Sequence, residues 1–565
     1  MANKKLDEKP IVIVGCGFAG SSVLMHTLLK IAADETLTKP VKIVMLERKP
    51  KQLHAGLAYG KEPEYRKNNL NIGSKRVNPF PAGKNPPGFP TFVQYIQELS
   101  DKNPEMKACL TNPPRQLFGD YVHHMVGLAI EKAGAKAQVE TLYKNVTGLE
   151  ETATGTKVSC SDGTKINASH VVLATGFQDA LAPKFARGVA SSPRFLETPY
   201  SAKANNFFDK VCDDKKATAL IIGTGLTAMD TAVRLINSGF KGSITMMSRR
   251  ALMHKPYEPT PVQEYVEKKL RGEPRPEGDM PFTKEQPKFM RARTVPGLVR
   301  SAISEFRELT KQGYTSEEII GYWERFVPAM SQKFPKADLA GLLAANDVLI
   351  TTARVGVTPD VGATIQKALE SGQVKISSGT IHDVQQRGNK MMCAFTPGDG
   401  TVTLSLKTQF NAQAPRKQYA EHDYIFSAMG NSVTYDPKNT DILDPLWKGL
   451  MDSGKATPHW TKMGITVTND FSLMDKAGAA SANISVIGVP VAGHMMVSSY
   501  PYPEKPGAGG RLGPTAMNVA GITGATLAFL DQKYDKLTAN FHKAPTAGAR
   551  AMHGIAKALC AIHIM

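Results

Sequence analysis

Residues Lys9 to Gly20 read KPIVIVGCGFAG. Four β-favouring apolar residues lead into Gly15, Gly17 and Gly20 at GxGxxG spacing, and Val23, Leu24, Thr27 and Leu28 follow at a helical period. Strand, tight turn and helix in that order open a dinucleotide-binding unit. The first glycine allows the turn, the second lets backbone approach a pyrophosphate, and the third lets helix and strand pack closely. The helix start, with Phe18 and Ala19 in its first turn, presents unpaired N–H groups to the phosphates. A second strand, Val41 to Leu46, runs into Glu47 and Arg48, where the acid can accept both hydroxyls of an adenosine ribose. The interval from Gly20 to Glu47 is long and predicts a lengthened helix or loop around Ala33 to Lys39. A lone GxGxxG is a weak signal, because glycine turns are common. Its specificity here comes from the order of strand, triplet, helix, strand and acid.

A second stretch, Ala219 to Asp230, reads ALIIGTGLTAMD. Gly223, Thr224, Gly225, Leu226 and Thr227 form the turn and helix start, and Ala228 stands third, which still permits close packing. Two such motifs predict two nucleotides. The strand after it, Ser243 to Met247, ends in Ser248, Arg249 and Arg250 instead of an acid. An acid would repel a 2′-phosphate, whereas Ser and Arg can bind one, so the residues favour NADPH over NADH. Two short apolar strands, His170 to Thr175 and Asp423 to Met429, end in Gly176 and Gly430. Their placement around the second motif predicts that the chain leaves the first domain near Gly176 and returns near Asp423. The expected class is α/β: two Rossmann-like dinucleotide-binding domains, the NADPH domain inserted in a discontinuous first domain (an FAD domain, by the resemblance described below), with a helical elaboration. The boundaries read 1–205 for the first domain's first part, 206–420 for the inserted domain, 421–531 for the return and 532–565 for a tail.

At about 150 residues per domain a chain of 565 residues calls for about three or four domains or two large ones. With 42% hydrophobic and 21% charged residues, disorder and fibre are excluded. No run of eighteen apolar residues predicts a transmembrane helix, and no signal-peptide core precedes the first strand, so a cytoplasmic protein with no membrane partner is expected. Six cysteines lie far apart, without CxxC or His spacing, which predicts reduced thiols and neither a metal site nor a redox dithiol. The net charge is +18, and residues 241–300 hold 13 Lys and Arg against 7 Asp and Glu. That density accompanies a dinucleotide motif and no nucleic-acid recognition module, so nucleic acid is not an expected partner.

The succession GCGFAG, LERKP, AGLAYG (Ala55 to Gly60), NNLNIGSKRVNPF (Asn68 to Phe80), PRQLFGDYV (Pro114 to Val122), VVLATG, IIGTGLTAMD and SRRALMHK resembles the bacterial FAD/NAD(P)-binding protein family. That family is related to the two-dinucleotide-domain flavoprotein monooxygenases, including N-hydroxylating and Baeyer–Villiger enzymes. The resemblance covers most of residues 10 to 530, with GLAYG and the LN-containing loop as its most specific part. It implies FAD on the first motif and NADPH on the second. It also implies that Gly15, Gly17, Gly20 and Glu47 hold the ADP half of FAD, that Asn71 lies near the flavin, and that Arg115 faces the FAD side of the cleft. Thr175, Gly176, Gly430 and Gly488 are expected where backbone passes close to a cofactor. The Baeyer–Villiger fingerprint FxGxxxHxxxW is missing between Phe185 and Tyr200, which disfavours ketone oxygenation. An acid common near the flavin ribityl chain is also missing from Ile484 to Pro490.

Pro256 to about Asn346 is Pro-rich and charged, then helical, with Val299, Ile303, Phe306 and Leu309 on one face and Ile319, Tyr322, Trp323 and Phe326 on another. It reads as an elaboration of the NADPH domain, with Arg291, Arg293 and Arg300 as candidate anion contacts. Val374 to Thr408 predicts hairpins. Beyond Gly488 a Pro- and Gly-rich loop precedes a small-residue helix. Resembling flavoproteins point such a helix at the flavin pyrimidine, which makes Thr515, Ala516 and Met517 candidates for that contact. His494, Tyr500 and Arg511 are candidates for the substrate pocket. The expected activity is hydride transfer from NADPH to FAD, then oxygenation of a small nucleophile, by analogy an amine, through a C4a-hydroperoxyflavin, with a small-molecule substrate and molecular oxygen as partners. A flavoprotein reductase and a non-catalytic cofactor-binding subunit are the other readings. No catalytic residue beyond the flavin is named by the sequence, and the oligomeric state stays open.

Overall fold

The computed structural model describes residues 9–60, 69–70, 74, 77–81, 83–110, 113–178, 182–201, 203–256, 286–312, 314, 319–320, 322–323, 326–343, 352, 356–398, 416–430, 435, 443–497 and 519–542. Its strands in chain order are β1 (Ile11–Val14), β2 (Val41–Leu46), β3 (Ala137–Leu142), β4 (Val146–Thr152), β5 (Gly155–Cys160), β6 (Lys165–Ala168), β7 (His170–Leu173), β8 (Phe195–Leu196), β9 (Thr218–Ile222), β10 (Ser243–Ser248), β11 (Val374–Arg387), β12 (Lys390–Pro397), β13 (Gln418–His422), β14 (Tyr424–Ser427), β15 (Ser472–Met474) and β16 (Ala480–Val486). The helices that matter below are α1 (Phe18–Ala33), α2 (Gly56–Tyr59), α3 (Phe92–Lys102), α4 (Arg115–Ala133), α5 (Ala204–Asp213) and α6 (Leu226–Asn237).

Two larger sheets carry the molecule. The first has the order β15-β16-β7-β1-β2-β3, with β1 parallel to both β2 and β7. All four residues of β1 and of β7 are buried, as expected of central parallel strands covered on both faces. Helix α1 packs on α4 and on the helix Val519–Thr538, and its long run followed by the loop to Pro40 accounts for the extended spacing before Glu47. The second sheet has the order β13-β12-β11-β10-β9-β14-β8. Here β9 lies parallel between β10 and β14, as β1 lies between β2 and β7. Strand β11 begins parallel to β10 and then turns into an antiparallel hairpin with β12, so the expected hairpin is continuous with the nucleotide sheet. A small sheet of β4, β5 and β6 lies between β3 and β7 in the chain.

Several domain limits differ from the expected ones. Strand β8 already belongs to the second sheet, paired with β14, and Ala182, Ala186 and Val189 pack in the same cluster. The second unit therefore starts ahead of residue 206. Strands β13 and β14 also belong to the second sheet, so the return expected at 421 near Asp423 falls after Gly430, and Tyr435 and Leu443 are the next residues packed in the first core. A short buried strand carries no local mark of which sheet it will join, because edge pairing is decided by partners far away in sequence. The limit at 531 cuts the helix Val519–Thr538, whose Leu537 packs in the first core beside Phe541. The helical elaboration forms its own cluster of Phe289, Val295, Leu298, Val299, Phe334 and Leu339, against which Trp460 of the first unit's return packs. Ser331 Oγ donates to the Val497 carbonyl at 3.4 Å, so these helices, expected as an elaboration of the NADPH domain, lean on the first unit.

Candidate functional site

The two glycine turns match hydrogen bond for hydrogen bond. Gly15 N–H donates to the Leu46 carbonyl at 2.8 Å and Gly223 N–H to that of Met247 at 2.7 Å. Ala174 N–H donates to Val14 at 2.8 Å, and Ala428 N–H to Ile222 at 3.0 Å. Gly15 has φ +89° and Gly223 φ +124°, conformations open to glycine and strained for other residues. A Cβ on Gly15 would overlap the Ala174 carbonyl, and one on Gly223 would lie 2.6 Å from that of Ala428. The segments ending in Thr175-Gly176 and Met429-Gly430 therefore each lie against the glycine turn of their own unit. Helices α1 and α6 begin on Gly17 and Gly225 with no side-chain cap and no acid in the first turn. Helix α3, by contrast, carries a capping box on Thr91. Two uncapped helix starts beside glycine backbone leave N–H donors able to take an anionic pyrophosphate.

At the strand ends the chemistry diverges. Glu47, 6% exposed, accepts from Cys16 N–H and Lys49 N–H, both at 2.9 Å. A carboxylate has about four acceptor positions, so capacity remains for ribose hydroxyls. Burial, and then the Glu47 charge, push the Cys16 thiol well above its ordinary range, which makes it an inert buried thiol. In the second unit Ser248 Oγ lies 2.8 Å from Thr224 Oγ1 and accepts from Ala251 N–H at 3.1 Å. Arg249 is exposed, with its carbonyl held by Ser378 Oγ at 2.9 Å, and Arg250 is half-buried. The strand-end residues Ser248, Arg249 and Arg250 themselves carry no carboxylate to repel a phosphate.

The turns also differ in what covers them. His54 adopts φ +63°, donates its N–H to the Cys16 carbonyl at 2.6 Å, and places Nδ1 2.9 Å from Ser21 Oγ. Its ring lies 5.1 Å from that of His123. A Cβ on Gly17 would lie 3.1 Å from Gly56 Cα. The AGLAYG segment is therefore a lid of backbone over the first turn. In the second unit, among the described residues, the nearest atom to a Cβ on Gly225 is His254 Nε2 at 3.9 Å, a looser approach than that of Gly56 to Gly17. His54, Ser21 and His123 escaped the sequence reading. The signal available was Gly56 inside a conspicuous motif, where φ +62° and close approach to Gly17 require glycine.

Other sequence-derived candidates fall in several places. Phe18 is buried 5.8 Å from the Phe118 ring, and Ala19 touches the position a Cβ on Gly488 would take. Gly20 abuts the Gly15 carbonyl so closely that any Cβ there would overlap it. Arg48 is half-buried beside its strand end. Thr175 Oγ1 accepts from the buried Trp447 indole at 2.9 Å. Leu226 packs against the second core, and the Thr227 carbonyl accepts from Thr231 Oγ1 at 2.7 Å. Arg115, expected to face the FAD side, instead pairs with Asp230 of the second unit at 2.8 Å. His494 lies in packed interior, its ring 5.6 Å from Phe471 and 6.4 Å from His459, and burial lowers its pKa to about 4. The apolar surroundings of the residues after Gly488 hold it there as a neutral ring. Arg291, Arg293 and Arg300 are exposed. Asn71, Tyr500, Arg511, Thr515, Ala516 and Met517 lie outside the described residues.

Matched nucleotide turns, each at the parallel centre of its own mixed sheet, define a two-dinucleotide-domain protein. Residues 12–178 match a family model described as FAD-NAD(P)-binding, and this part of the chain is an FAD/NAD(P)-binding domain. No curated protein matches the sequence. Among solved structures, the chain is similar to an ornithine hydroxylase, PvdA, from Pseudomonas aeruginosa, at 15% identity and TM-score 0.54 over 94% of this chain and 99% of that one. An L-lysine 6-monooxygenase from Pseudomonas syringae is similar at 12% identity and TM-score 0.55, over 94% and 100%. An ornithine N-hydroxylase from Kutzneria sp. 744, solved with reduced FAD, NADP+ and L-ornithine, is similar at 12% identity and TM-score 0.53, over 93% and 99%. At these identities the likeness is one of fold. Among the described residues no helix is long and apolar enough to cross a membrane, and no cluster of His, Cys, Asp and Glu could hold a metal ion.

Proposed function

We propose that this chain is an FAD-dependent, NADPH-using monooxygenase acting on a small nucleophilic substrate of the amine class. The observation that carries this reading is the contrast between two matched turns, one closed by Glu47 and the other by Ser248, Arg249 and Arg250. In the first unit the Gly15–Gly17 backbone and the start of α1 hold the FAD pyrophosphate, and Glu47 takes the adenosine ribose. In the second, the Gly223–Gly225 backbone and the start of α6 hold the NADPH pyrophosphate, and Arg249 and Arg250 take the 2′-phosphate with Ser248. The flavin, when bound, supplies hydride acceptance and oxygen activation, and the protein supplies binding, orientation and exclusion of water. The amine class is supported by the shared fold with ornithine and lysine hydroxylases and is an analogy at that level.

The test is anaerobic reduction of the purified protein by NADPH, followed by mixing with oxygenated buffer while spectra are recorded. A transient absorbing to the blue of oxidised flavin, together with NADPH-dependent hydroxylation of a diamine or basic amino acid, is the expected result. Direct return to oxidised flavin with no product from any amine would overturn the reading in favour of a reductase.

A further inference from the structure

Arg115 is the first residue of α4, in the first unit, but its guanidinium is aimed across the boundary. Nη2 donates to Asp230 Oδ2 on α6 at 2.8 Å, with the two side chains 11% and 13% exposed. Its Nε donates to the Asn69 carbonyl at 2.9 Å. Asn69 bridges Pro114, and Leu70 N–H donates to the Pro113 carbonyl at 2.9 Å, so the same guanidinium secures the chain at Asn69 and Leu70. Tyr200, in the second unit between β8 and α5, donates its hydroxyl to Asp230 Oδ2 at 3.4 Å. Burial opposes the charge on Arg115, but Asp230, Tyr200 and Tyr59 outweigh it and hold the guanidinium charged.

A pair this buried is a poor source of stability, because desolvation offsets most of its attraction. An apolar contact of the same volume would hold the surfaces together equally well. A planar fork with directed hydrogen bonds adds a defined orientation. Asp230 sits little more than one turn beyond Gly225, on the helix whose first N–H groups face the second glycine turn. Fixing Asp230 therefore fixes the direction in which that turn presents its ligand. We infer that Arg115 and Asp230 are positioning residues that set the angle at which the second unit presents its nicotinamide to the flavin of the first. This inference rests on the assignment of FAD and NADPH made above.

The test uses the full-length holoprotein and the double variant R115M/D230L, which leaves no buried charge unpaired. FAD content and NADP+ affinity stay at the wild-type level, whereas the anaerobic reduction rate at saturating NADPH falls by about tenfold or more, the size expected when reactants are held out of register. The long-wavelength charge-transfer absorbance of reduced protein with NADP+ is lost. The distance distribution between probes introduced as unnatural amino acids at the exposed positions Tyr143 and Tyr419, one in each unit, broadens. The charge swap R115D/D230R recovers part of the rate and narrows the distribution. A double variant with wild-type reduction, charge-transfer band and distance distribution would overturn the inference. If it fails to fold, R115K and D230N carry the test, and wild-type behaviour in both has the same force. Should the wild-type protein not be reduced by NADPH at all, the functional reading fails, while an unchanged distance distribution in the variants still sinks the positioning role separately.

Discussion

The two nucleotide turns share one backbone and the strand ends that flank it, and differ in what lies over the turn and in the side chains at the following strand end. In the first, the His54–Gly56 segment lies on the turn, Gly20 leaves no room for a Cβ, and Glu47 is tied to backbone N–H groups. In the second, Ala228 occupies the third position, a Cβ on Gly225 would meet among the described residues only a histidine nitrogen at 3.9 Å, and the strand end offers Ser and Arg. A turn covered by its own chain suits a ligand that stays through many turnovers, and a more open, cationic one suits a ligand that must arrive and leave. The contrast predicts that what packs over a common motif governs how long each nucleotide stays, while the motif itself sets where the phosphates go.

The sharpest way to break that comparison is at the turns themselves. Gly15→Val places a β-branched residue at φ +89° against the Ala174 carbonyl, and the variant purifies without flavin, as read from the ratio of flavin to protein absorbance. Gly223→Val keeps its flavin but is no longer reduced by NADPH. Loss of flavin in both variants would show that the units are not separable.

Acid should act next most strongly, and unequally. Burial lowers His26 to about 4, against the pull of the Pro79 carbonyl, and lowers His170 to about 3. His459 and His494 are likewise lowered to about 4. All four belong to the first unit, and His422, also near 4 through burial, belongs to the second. The unfolded chain takes these protons near pH 6.5 and the folded one only near 4. Stability is therefore full above about 6.5 and is lost as pH falls toward about 4, by about 2 kcal/mol per ring at pH 5. Flavin release, together with hydrogen exchange compared at pH 7 and pH 5, should show the first unit loosening first. Equal loosening in both units would contradict this.

Changes at the second strand end are smaller. Arg249→Ala removes one charge-assisted contact to a 2′-phosphate and lowers the preference for NADPH over NADH by about tenfold to a hundredfold. Steady-state kinetics with each cofactor would show this, and an unchanged preference would refute the 2′-phosphate assignment. Smallest is Ala228→Gly, which makes the second triplet resemble the first. It costs about 1 kcal/mol of helix stability and leaves binding of both nucleotides unchanged by titration.

What could be read without the fold was local. Glycine spacing, the apolar strands on either side of each turn, and the identity of the strand-end residues Glu47 and Ser248 all lie within short windows, because a βα turn is built from neighbours in sequence. The allegiance of β8 and β14 lay outside those windows, since a short buried strand can extend either sheet until its long-range partners choose. The same holds for Arg115 and Asp230, which are 115 residues apart and were legible only as one cation near a loop and one acid on a nucleotide helix. His54 was hidden for a related reason, because its role comes from a loop folding back over Cys16 and Ser21. The chain's own letters thus determined that it has two dinucleotide turns of opposite strand-end chemistry. Only the tertiary structure decided which turn is covered, where the units divide and which side chains lock them together, because those outcomes depend on packing between segments that sequence distance keeps apart.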